Sequence, residues 1–323
     1  MGFAQAPQSV KAAGWAEDIG LRHEMEDSFV FVDGYGGIPT MSYMAIYDGH
    51  GGRQVVDFVA RELHGNVLHE LRNNTSVPDA LMHAFRYTDE DLPRNNIRWS
   101  GCTACVCILR EETEARVIYT AHLGDSRAVM SRSGKATRLT SMTDHKASDP
   151  LECKRVIEAG GQIINDRVNG MLAMTRALGD HLLKTPALPN DVVSNVPDIS
   201  STDITPQDQF VVLACDGIWD VMTDQQAVEL VSLSVQELLL SRGLHRSPSP
   251  SPSPSSPTPP LSASPPPPPS SAQQQQQQQW AVLEQHLLEA EGRSLAEILA
   301  SMLLEEALAR GSTDNVTCVV VLL

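Results

Sequence analysis

Seven short segments in which apolar residues recur at alternate positions constrain the fold of this chain more than any other feature. They are DSFVFVDGY, MSYMAIYD, CTACVCIL, ARVIYTAHL, SRAVMSR, DQFVVLACD and NVTCVVVLL. Gly, Asp, Asn or Pro bounds each segment, which is typical of antiparallel strands and hairpins. Strands with one apolar face bury it against another layer, so the sequence predicts antiparallel sheets that face each other.

Helical patterns occupy the long connections between these segments. After Gly52, apolar residues recur at helical spacing from Val55 to Leu71, and residues 78–92 present a second apolar face. A capping residue followed by Pro, Gln or Glu starts three further helices, at Asp149–Pro150, Thr223–Gln226 and Ser294–Glu297. Because strands come in runs and helices lie between them in pairs, we predict an α+β fold with the helices outside the sheets.

Composition narrows the class of protein. With 41% hydrophobic residues among 323, the chain can bury a large core. Its net charge of −16 and the lack of a basic stripe argue against a nucleic-acid partner. Residues 1–15 contain no continuous apolar segment, and the longest apolar run, VTCVVVLL, is too short to cross a bilayer. We therefore expect no membrane partner and a cytoplasmic or nuclear location. The protein is also expected to be a monomer.

The six cysteines are expected to be reduced and to act as small buried hydrophobic residues. Cys102 and Cys105 form a C-x-x-C pattern, which can indicate a zinc site. Residues three apart in a strand face opposite sides of the sheet, so joint zinc ligation by this pair is not expected.

The segment from about residue 244 to 279 consists of Ser/Pro repeats, polyproline and polyglutamine. It lacks the apolar residues needed to bury a core, so we predict that it is disordered. It interrupts two helical segments and precedes the last strand, which makes it an insertion within one domain. We predict an N-terminal arm over residues 1–13 and a single catalytic domain over 14–323.

Acidic residues recur where these strands start or stop. Asp48 stands in YDGHGG, directly after a strand, and the others are Glu26, Asp27, Asp125, Asp216, Asp220 and Asp314. Any one of them alone is better explained as a turn residue. Together, on loops that meet at one rim, they would repel one another unless a cation lay between them. Oxygen ligands suit Mg²⁺ or Mn²⁺, and Gly49, without a Cβ, allows its carbonyl to approach an ion closely.

An ordered set of motifs gives the chain a specific resemblance. YMAIYDGHGG, SGCTACVCIL, LGDSRAV, DHKASDPLE, RVNGMLAMTRALGD, LACDGIWDVM and GSTDNVT resemble the successive motifs of the type 2C metal-dependent serine/threonine protein phosphatases. The resemblance implies a four-layer αββα sandwich, in which helix pairs flank two antiparallel sheets, with a binuclear metal site at one edge. It also implies a flap over residues 142–183 that influences the choice of substrate.

The same resemblance assigns metal ligands. Asp48 matches the carboxylate that bridges two Mg²⁺ or Mn²⁺ ions, and Asp216 and Asp314 match its partners at the first ion. Glu26 and the Gly49 carbonyl match the ligands of the second ion. A weaker third ion is implied at one further position, Asp125.

Other positions match residues that act on the substrate or support the metals. Arg22 matches the arginine that receives the phosphate, and His50 matches the proposed general acid. The supporting positions are Asp27, Thr103, Asp220 and Asn315. The implied reaction is metal-dependent hydrolysis of phosphoserine or phosphothreonine in phosphoproteins by a metal-bridging water, without a covalent phosphoenzyme.

Two other hypotheses remain open at this point. One is a catalytically inactive relative that acts as a binding module, although all the metal carboxylates of the family are present. The other is a hydrolase of small phosphoesters that uses the same site. A structural role is the simpler interpretation at two other places. Trp219 can pack beneath its loop, and the pair Asp144–His145 can cap a turn before Pro150.

Overall fold

Antiparallel strand pairing organises the fold, as the alternating segments predicted. The computed structural model describes residues 9–184, 192–244 and 271–323. Within these ranges the strands are β1 Ala12–Asp18, β2 Ser28–Asp33, β3 Met41–Tyr47, β4 Gly49–His50, β5 Gly101–Cys102, β6 Ala104–Glu111, β7 Arg116–Leu123, β8 Arg127–Arg132, β9 Lys135–Arg138, β10 Ile163–Ile164, β11 Arg167–Val168, β12 Leu178–Gly179, β13 Asp198–Ile204, β14 Asp208–Ala214 and β15 Val316–Leu322.

The helices join these strands in pairs or singly. They are α1 Gln54–Arg72, α2 Val77–Arg94, α3 Pro150–Glu158, α4 Asp216–Trp219, α5 Asp224–Ser241, α6 Ser271–Glu291 and α7 Leu295–Ala309. The predicted capping boxes are present at Thr223 and Ser294, and the Asp149 side chain accepts hydrogen bonds from the first turn of α3. The helix starts read from the sequence are therefore confirmed.

Two five-stranded antiparallel sheets form the centre of the molecule. Their strand orders are β1-β15-β14-β8-β9 and β13-β7-β6-β3-β2. Met44 and Cys105 from the second sheet share a buried cluster with Leu213 and Val319 from the first. The two sheets thus face each other across an apolar core, which accounts for their alternating sequence pattern.

Helices cover the outer faces of both sheets. Residues of α1 and α2, such as Val59 and Phe85, pack on the sheet that contains β3, while residues of α5 and α7, such as Val231 and Leu303, pack on the sheet that contains β14. The predicted α+β fold, two antiparallel sheets with helices outside them, is confirmed.

The N-terminal boundary of the predicted domain differs from the boundary in the structure. Strand β1 begins at Ala12 and Val10 is buried, so the ordered fold starts within the arm predicted over 1–13. The reason is pairing along the whole strand, from Ala12 opposite Leu322 to Asp18 opposite Val316. The rest of the arm, residues 1–8, lies outside the described residues.

The insertion also ends earlier than the composition predicted. Residues 245–270 lie outside the described residues, and helix α6 begins at Ser271, within the range 244–279 predicted to be disordered. Glutamine has a good helix propensity, and the polyglutamine run continues into a segment whose Leu283 and Leu287 are buried against the core. Because the segment with Leu283 and Leu287 is packed as a helix, the glutamines before it can continue that helix towards Ser271.

Residues 142–183, predicted as a flap, contain α3, the β10–β11 hairpin and β12. Val156, Val168 and Ala177 lie in a small buried cluster of their own. Strand β12 pairs with β5, which in turn pairs with β4, so this region is joined to the loop that follows β3. The short three-stranded sheet connects the predicted flap to His50.

Cysteine placement agrees in part with the sequence reading. Cys102 packs in the cluster beneath α1 and α2, whereas Cys105 packs between the two sheets, on opposite faces as predicted. Cys153 on α3 is only half-buried, because it lies on a short surface helix. Within the described residues, none of the helices combines the length and the apolarity needed to span a bilayer.

Candidate metal centre

Three carboxylates meet where strands of both sheets end. Asp48 follows β3, Asp125 follows β7 and Asp216 follows β14. Strands β3 and β7 flank β6 and run in the same direction, so their carboxyl ends lie at the same edge of the sheet. One oxygen of each carboxylate lies within 4.8 Å of the others. The sequence had placed Asp125 at a separate, third ion, whereas the structure groups it directly with Asp48 and Asp216.

The proximity of these carboxylates disfavours their charged forms. Desolvation, followed by the charges of Asp27 and Asp216, raises the pKa of Asp48 well above its usual value. Desolvation and the charges of Asp125 and Asp220 raise the pKa of Asp216 to about 8. A divalent cation with a preference for oxygen ligands would relieve this repulsion, so the donor set fits Mg²⁺ or Mn²⁺.

Lys146 places a positive charge at the same site. Its Nζ lies 3.1 Å from Asp125 Oδ2 and 3.5 Å from Asp220 Oδ1. Desolvation lowers the pKa of Lys146, but the charges of Asp125 and Asp220 outweigh it and the net shift is upward. Asp220 is exposed at the rim of the site, where the sequence predicted a supporting residue. Lys146 belongs to the DHKASDPLE motif, but the sequence did not predict its contact with the acidic residues.

Glu26 and Gly49 lie beside the three carboxylates and are held by hydrogen bonds. Glu26 Oε1 accepts a hydrogen bond from the backbone N–H of Gly52 at 2.5 Å. The backbone N–H of Glu26 donates to Asn315 Oδ1 at 2.7 Å, so Asn315 contacts the loop that carries Glu26. The N–H of Gly49 donates to the Glu26 carbonyl, and a Cβ on Gly49 would overlap that carbonyl. Only glycine permits this close approach.

Arg22 and Asp314 form an ion pair at the rim. Arg22 Nη2 donates to Asp314 Oδ2, and both side chains are partly exposed. The negative charge of Asp314 contributes to the raised pKa values of Asp48 and Asp216, so it lies near them without belonging to the group of three. The predicted phosphate-binding arginine and the predicted metal ligand are therefore in contact with each other.

Thr103 holds the backbone of Asp48, and Asp27 lies buried close to the Asp48 carboxylate. The backbone N–H of Thr103 donates to the Asp48 carbonyl at 2.8 Å, and Thr103 Oγ1 accepts from the Asp48 N–H at 3.2 Å. Asp27 is buried, and desolvation is the main reason that its pKa is raised to about 6. Both residues lie next to Asp48, and their role in supporting a metal site stays a prediction.

His50 reaches a carboxylate that the sequence analysis did not select. Its Nε2 lies 2.8 Å from Oδ2 of Asp180. Desolvation lowers the pKa of His50, but the hydrogen bond and charge of Asp180 outweigh it, so the pKa is raised. Asp180 directly follows Gly179 at the end of a strand, the same signal that singled out Asp48 and Asp125, and could have been found in this way.

The structural roles predicted for Trp219 and for the pair Asp144–His145 have different outcomes. Trp219 is buried and donates from Nε1 to the Ala214 carbonyl at 2.8 Å, which confirms packing beneath its loop. Asp144 does not cap a turn; its carboxylate pairs with Arg127 and Arg138. The adjacent His145 is buried and accepts from the Gly124 N–H, because the turn packs against the end of β7.

Comparisons of the sequence with a family model and with known proteins all match the same family. A family model described as Protein phosphatase 2C matches residues 16–246. The chain is 40% identical over 228 residues to Protein phosphatase 2C homolog 1 of Saccharomyces cerevisiae, covering 65% of this chain and 78% of that protein. It is also 40% identical over 229 residues to Protein phosphatase 2C homolog 1 of Schizosaccharomyces pombe, covering 68% of this chain and 63% of the other.

Solved structures share the fold. A crystal structure of serine-threonine phosphatase 2C from Toxoplasma gondii matches with a TM-score of 0.65 and 22% identity, over 96% of this chain and 94% of that chain. A sex-determining protein of Caenorhabditis elegans matches with a TM-score of 0.69 and 24% identity, over 96% of this chain and 64% of that one. At these identities the likeness concerns the fold alone.

Proposed function

Because the chain belongs to the protein phosphatase 2C family, we propose that it removes phosphate from phosphoserine and phosphothreonine in proteins, using two Mg²⁺ or Mn²⁺ ions. The observation that carries this proposal is the approach of Asp48, Asp125 and Asp216 within 4.8 Å of one another. Carboxylates brought this close destabilise the fold unless they hold a cation, and such strain is typical of a functional site.

We assign the ions to the carboxylates and their neighbours. Asp48, Asp216 and Asp314 would hold the first ion, and Glu26 with the Gly49 carbonyl would hold the second. Asp125 would hold a weaker third ion. When bound, the ions would supply an activated water and neutralise charge on the phosphate. The contacts of Thr103 with the backbone N–H and carbonyl of Asp48 hold the main chain of that ligand in place before any ion arrives.

Two residues would act on the substrate. Arg22 is partly exposed at the rim and offers a planar guanidinium that can donate two hydrogen bonds to phosphate oxygens. To do so it must exchange its contact with Asp314 for the substrate. His50 would donate a proton to the departing serine or threonine oxygen, which is a poor leaving group without one. No nucleophile from the protein is required in this scheme.

Hydrolysis of a phosphothreonine peptide with Mn²⁺ tests the proposal, with Asp48→Asn as the inactivated variant. Asp203→Asn, at an exposed position of β13, is the matched control because it makes the same change away from the site. We expect turnover by the wild type and the control, loss with Asp48→Asn, and loss on chelation that added Mn²⁺ reverses.

The remaining hypotheses correspond to other outcomes of the same experiment. Turnover of 4-nitrophenyl phosphate without any turnover of phosphopeptides would indicate a hydrolase of small phosphoesters. Failure to hydrolyse either substrate, together with retained binding of a phosphopeptide, would indicate a binding module and overturn the proposal.

A further inference from the structure

Asp180 and His50 form a pair that connects the predicted flap to the loop after β3. His50 Nε2 and Asp180 Oδ2 are 2.8 Å apart, and the Asp180 side chain is only 9% exposed. An ionised carboxylate can only accept a hydrogen bond, so Nε2 of His50 must carry the proton that joins them. Within the described residues no hydrogen bond to His50 Nδ1 is seen.

The short three-stranded sheet sets the distance between the two side chains. His50 on β4 and Gly179 on β12 both pair with Gly101 on β5. A Cβ on Gly101 would overlap both Asp180 Oδ2 and His50 Nε2. The glycine therefore leaves the space in which the imidazole and the carboxylate meet.

Helix α2 holds the backbone of the residue just before Asp180, while the N–H of Asp180 itself donates to the Ser100 carbonyl at 2.9 Å. The N–H of Gly179 donates to Asp89 Oδ1 at 2.7 Å, and the buried ammonium group of Lys184 contacts both oxygens of Asp89, at 2.8 and 2.9 Å. Asp180 itself has a φ of 52°, in the left-handed region that few residues other than glycine adopt. A strained residue held by several bonds on both sides is typical of a position with a functional role.

We propose that Asp180 is a positioning residue for His50. It holds the imidazole by Nε2–H, so that in the imidazolium form Nδ1–H gives its proton to the leaving oxygen of the substrate and the ring is left neutral, with its remaining proton on Nε2. This inference rests on the proposed phosphatase function. A carboxylate in this place fixes both the ring orientation and the tautomer, as partners of functional histidines do elsewhere.

Substitution of Asp180 by Asn is the informative variant. Asn has the same shape and tolerates the left-handed backbone, so the fold should be kept while the negative charge is lost. Asp166→Asn is the matched control, because Asp166 is exposed, lies in the same region of the chain and has a φ of 55°. His50→Ala and the double variant complete the set.

Activity on two substrates separates positioning from a general structural role. We expect Asp180→Asn to lower kcat for a phosphothreonine peptide by about 10- to 100-fold, the range found when the partner of a functional histidine is removed. The effect on 4-nitrophenyl phosphate should be much smaller, because its phenolate leaves without a proton. In the His50→Ala background the Asp180 substitution should have no further effect. Equal losses on both substrates, or additive losses in the double variant, would overturn the proposal.

The protonation pattern of the His50 ring gives a readout that does not depend on activity. We expect nitrogen-15 spectra of the metal-free protein to show Nε2 protonated in the wild type and in Asp166→Asn, and a changed pattern in Asp180→Asn. An unchanged pattern would overturn the inference even if the enzyme were active. If the wild type hydrolysed neither substrate, the proposed function would fail, while the spectra would still test the pair.

Discussion

Lys146 Nζ lies 3.1 Å from Asp125 Oδ2, so the acidic site contains a positive charge of its own. The same ammonium group lies 3.5 Å from Asp220 Oδ1. A divalent ion that approaches Asp125 from this side must displace Lys146 or share the carboxylate with it. We therefore expect Lys146 to weaken the binding of any ion at Asp125.

Replacing Lys146 by Gln should tighten the binding of divalent ions. Removal of a partly buried positive charge next to the ligands should gain about 1 kcal/mol, or roughly fivefold in affinity. Calorimetric titration with Mg²⁺ measures this directly. Lys154→Gln, on the exposed face of α3, is the control and should leave the affinity unchanged. Weaker binding by Lys146→Gln would show that the lysine orients the ligands instead of opposing the ion.

Asp216→Asn should separate stability from activity. Loss of this carboxylate should lower turnover by about 100-fold or more, on the scale of removing a key electrostatic group. In the metal-free protein the same change removes repulsion with Asp48 and Asp125, and we expect a gain on the order of 1 kcal/mol in the free energy of unfolding.

Urea denaturation in the presence of chelator, at neutral pH, measures that gain. Asp203→Asn on β13 is a suitable control, because Asp203 lies outside the three-carboxylate group. A destabilised Asp216→Asn protein under these conditions would contradict the view that the carboxylates repel one another at the site.

Glu152 should make the stability of the flap region depend on pH. Burial favours its protonated form, but hydrogen bonds from Arg176, Thr175 and Arg155 outweigh this and lower its pKa from 4.5 to about 2. A lowered pKa stabilises the folded state above pH 4.5, and that stabilisation is lost as the pH falls towards 2.

Glu152→Gln should therefore cost about 1.5–3 kcal/mol at neutral pH, the usual contribution of hydrogen bonds to a charged group. The difference from wild type should shrink when denaturation is measured below pH 4.5. Glu158→Gln, exposed at the end of the same helix, serves as the control and should show no such trend. A difference that stayed constant with pH would exclude a role for the charge.

Deletion of residues 245–270 should leave a folded enzyme. Their composition lacks the apolar residues needed for a core, and shortening a flexible connection is neutral or mildly stabilising. Leu244 and Gln275 line one cavity, so a short Gly/Ser connection can join the two ends. A deletion that continues through Leu287 should destabilise the protein, because Trp280, Leu283 and Leu287 pack on the core.

Turnover of a phosphopeptide and of 4-nitrophenyl phosphate, before and after the shorter deletion, reports on the role of this segment. Unchanged values for both support a passive insertion. A rise in both would point to inhibition by the segment, and a loss confined to the peptide would point to substrate recruitment. A truncated protein that failed to fold would contradict the prediction.

The sequence by itself determined the fold class, the helix starts and the identity of most of the acidic residues at the site. Alternation along β3 and β14 and the capping box at Thr223 are local signals, since they depend on residues within one turn or one strand. The composition of the insertion likewise predicts disorder from local residues alone, but it did not predict where the helix after the insertion begins. Burial of Leu283 and Leu287 extends that helix back into the polyglutamine run.

Only the tertiary structure decided which charged groups share a space. Asp125 joins Asp48 and Asp216 because strands from two sheets end at one edge, and the contact of Lys146 with Asp125 arises from packing of the flap region on that edge. Asp180 reaches His50 across 130 positions of the chain through pairing with Gly101. Distances of this kind depend on strand register and sheet packing, which follow from the burial of the whole core and not from the residues at the site.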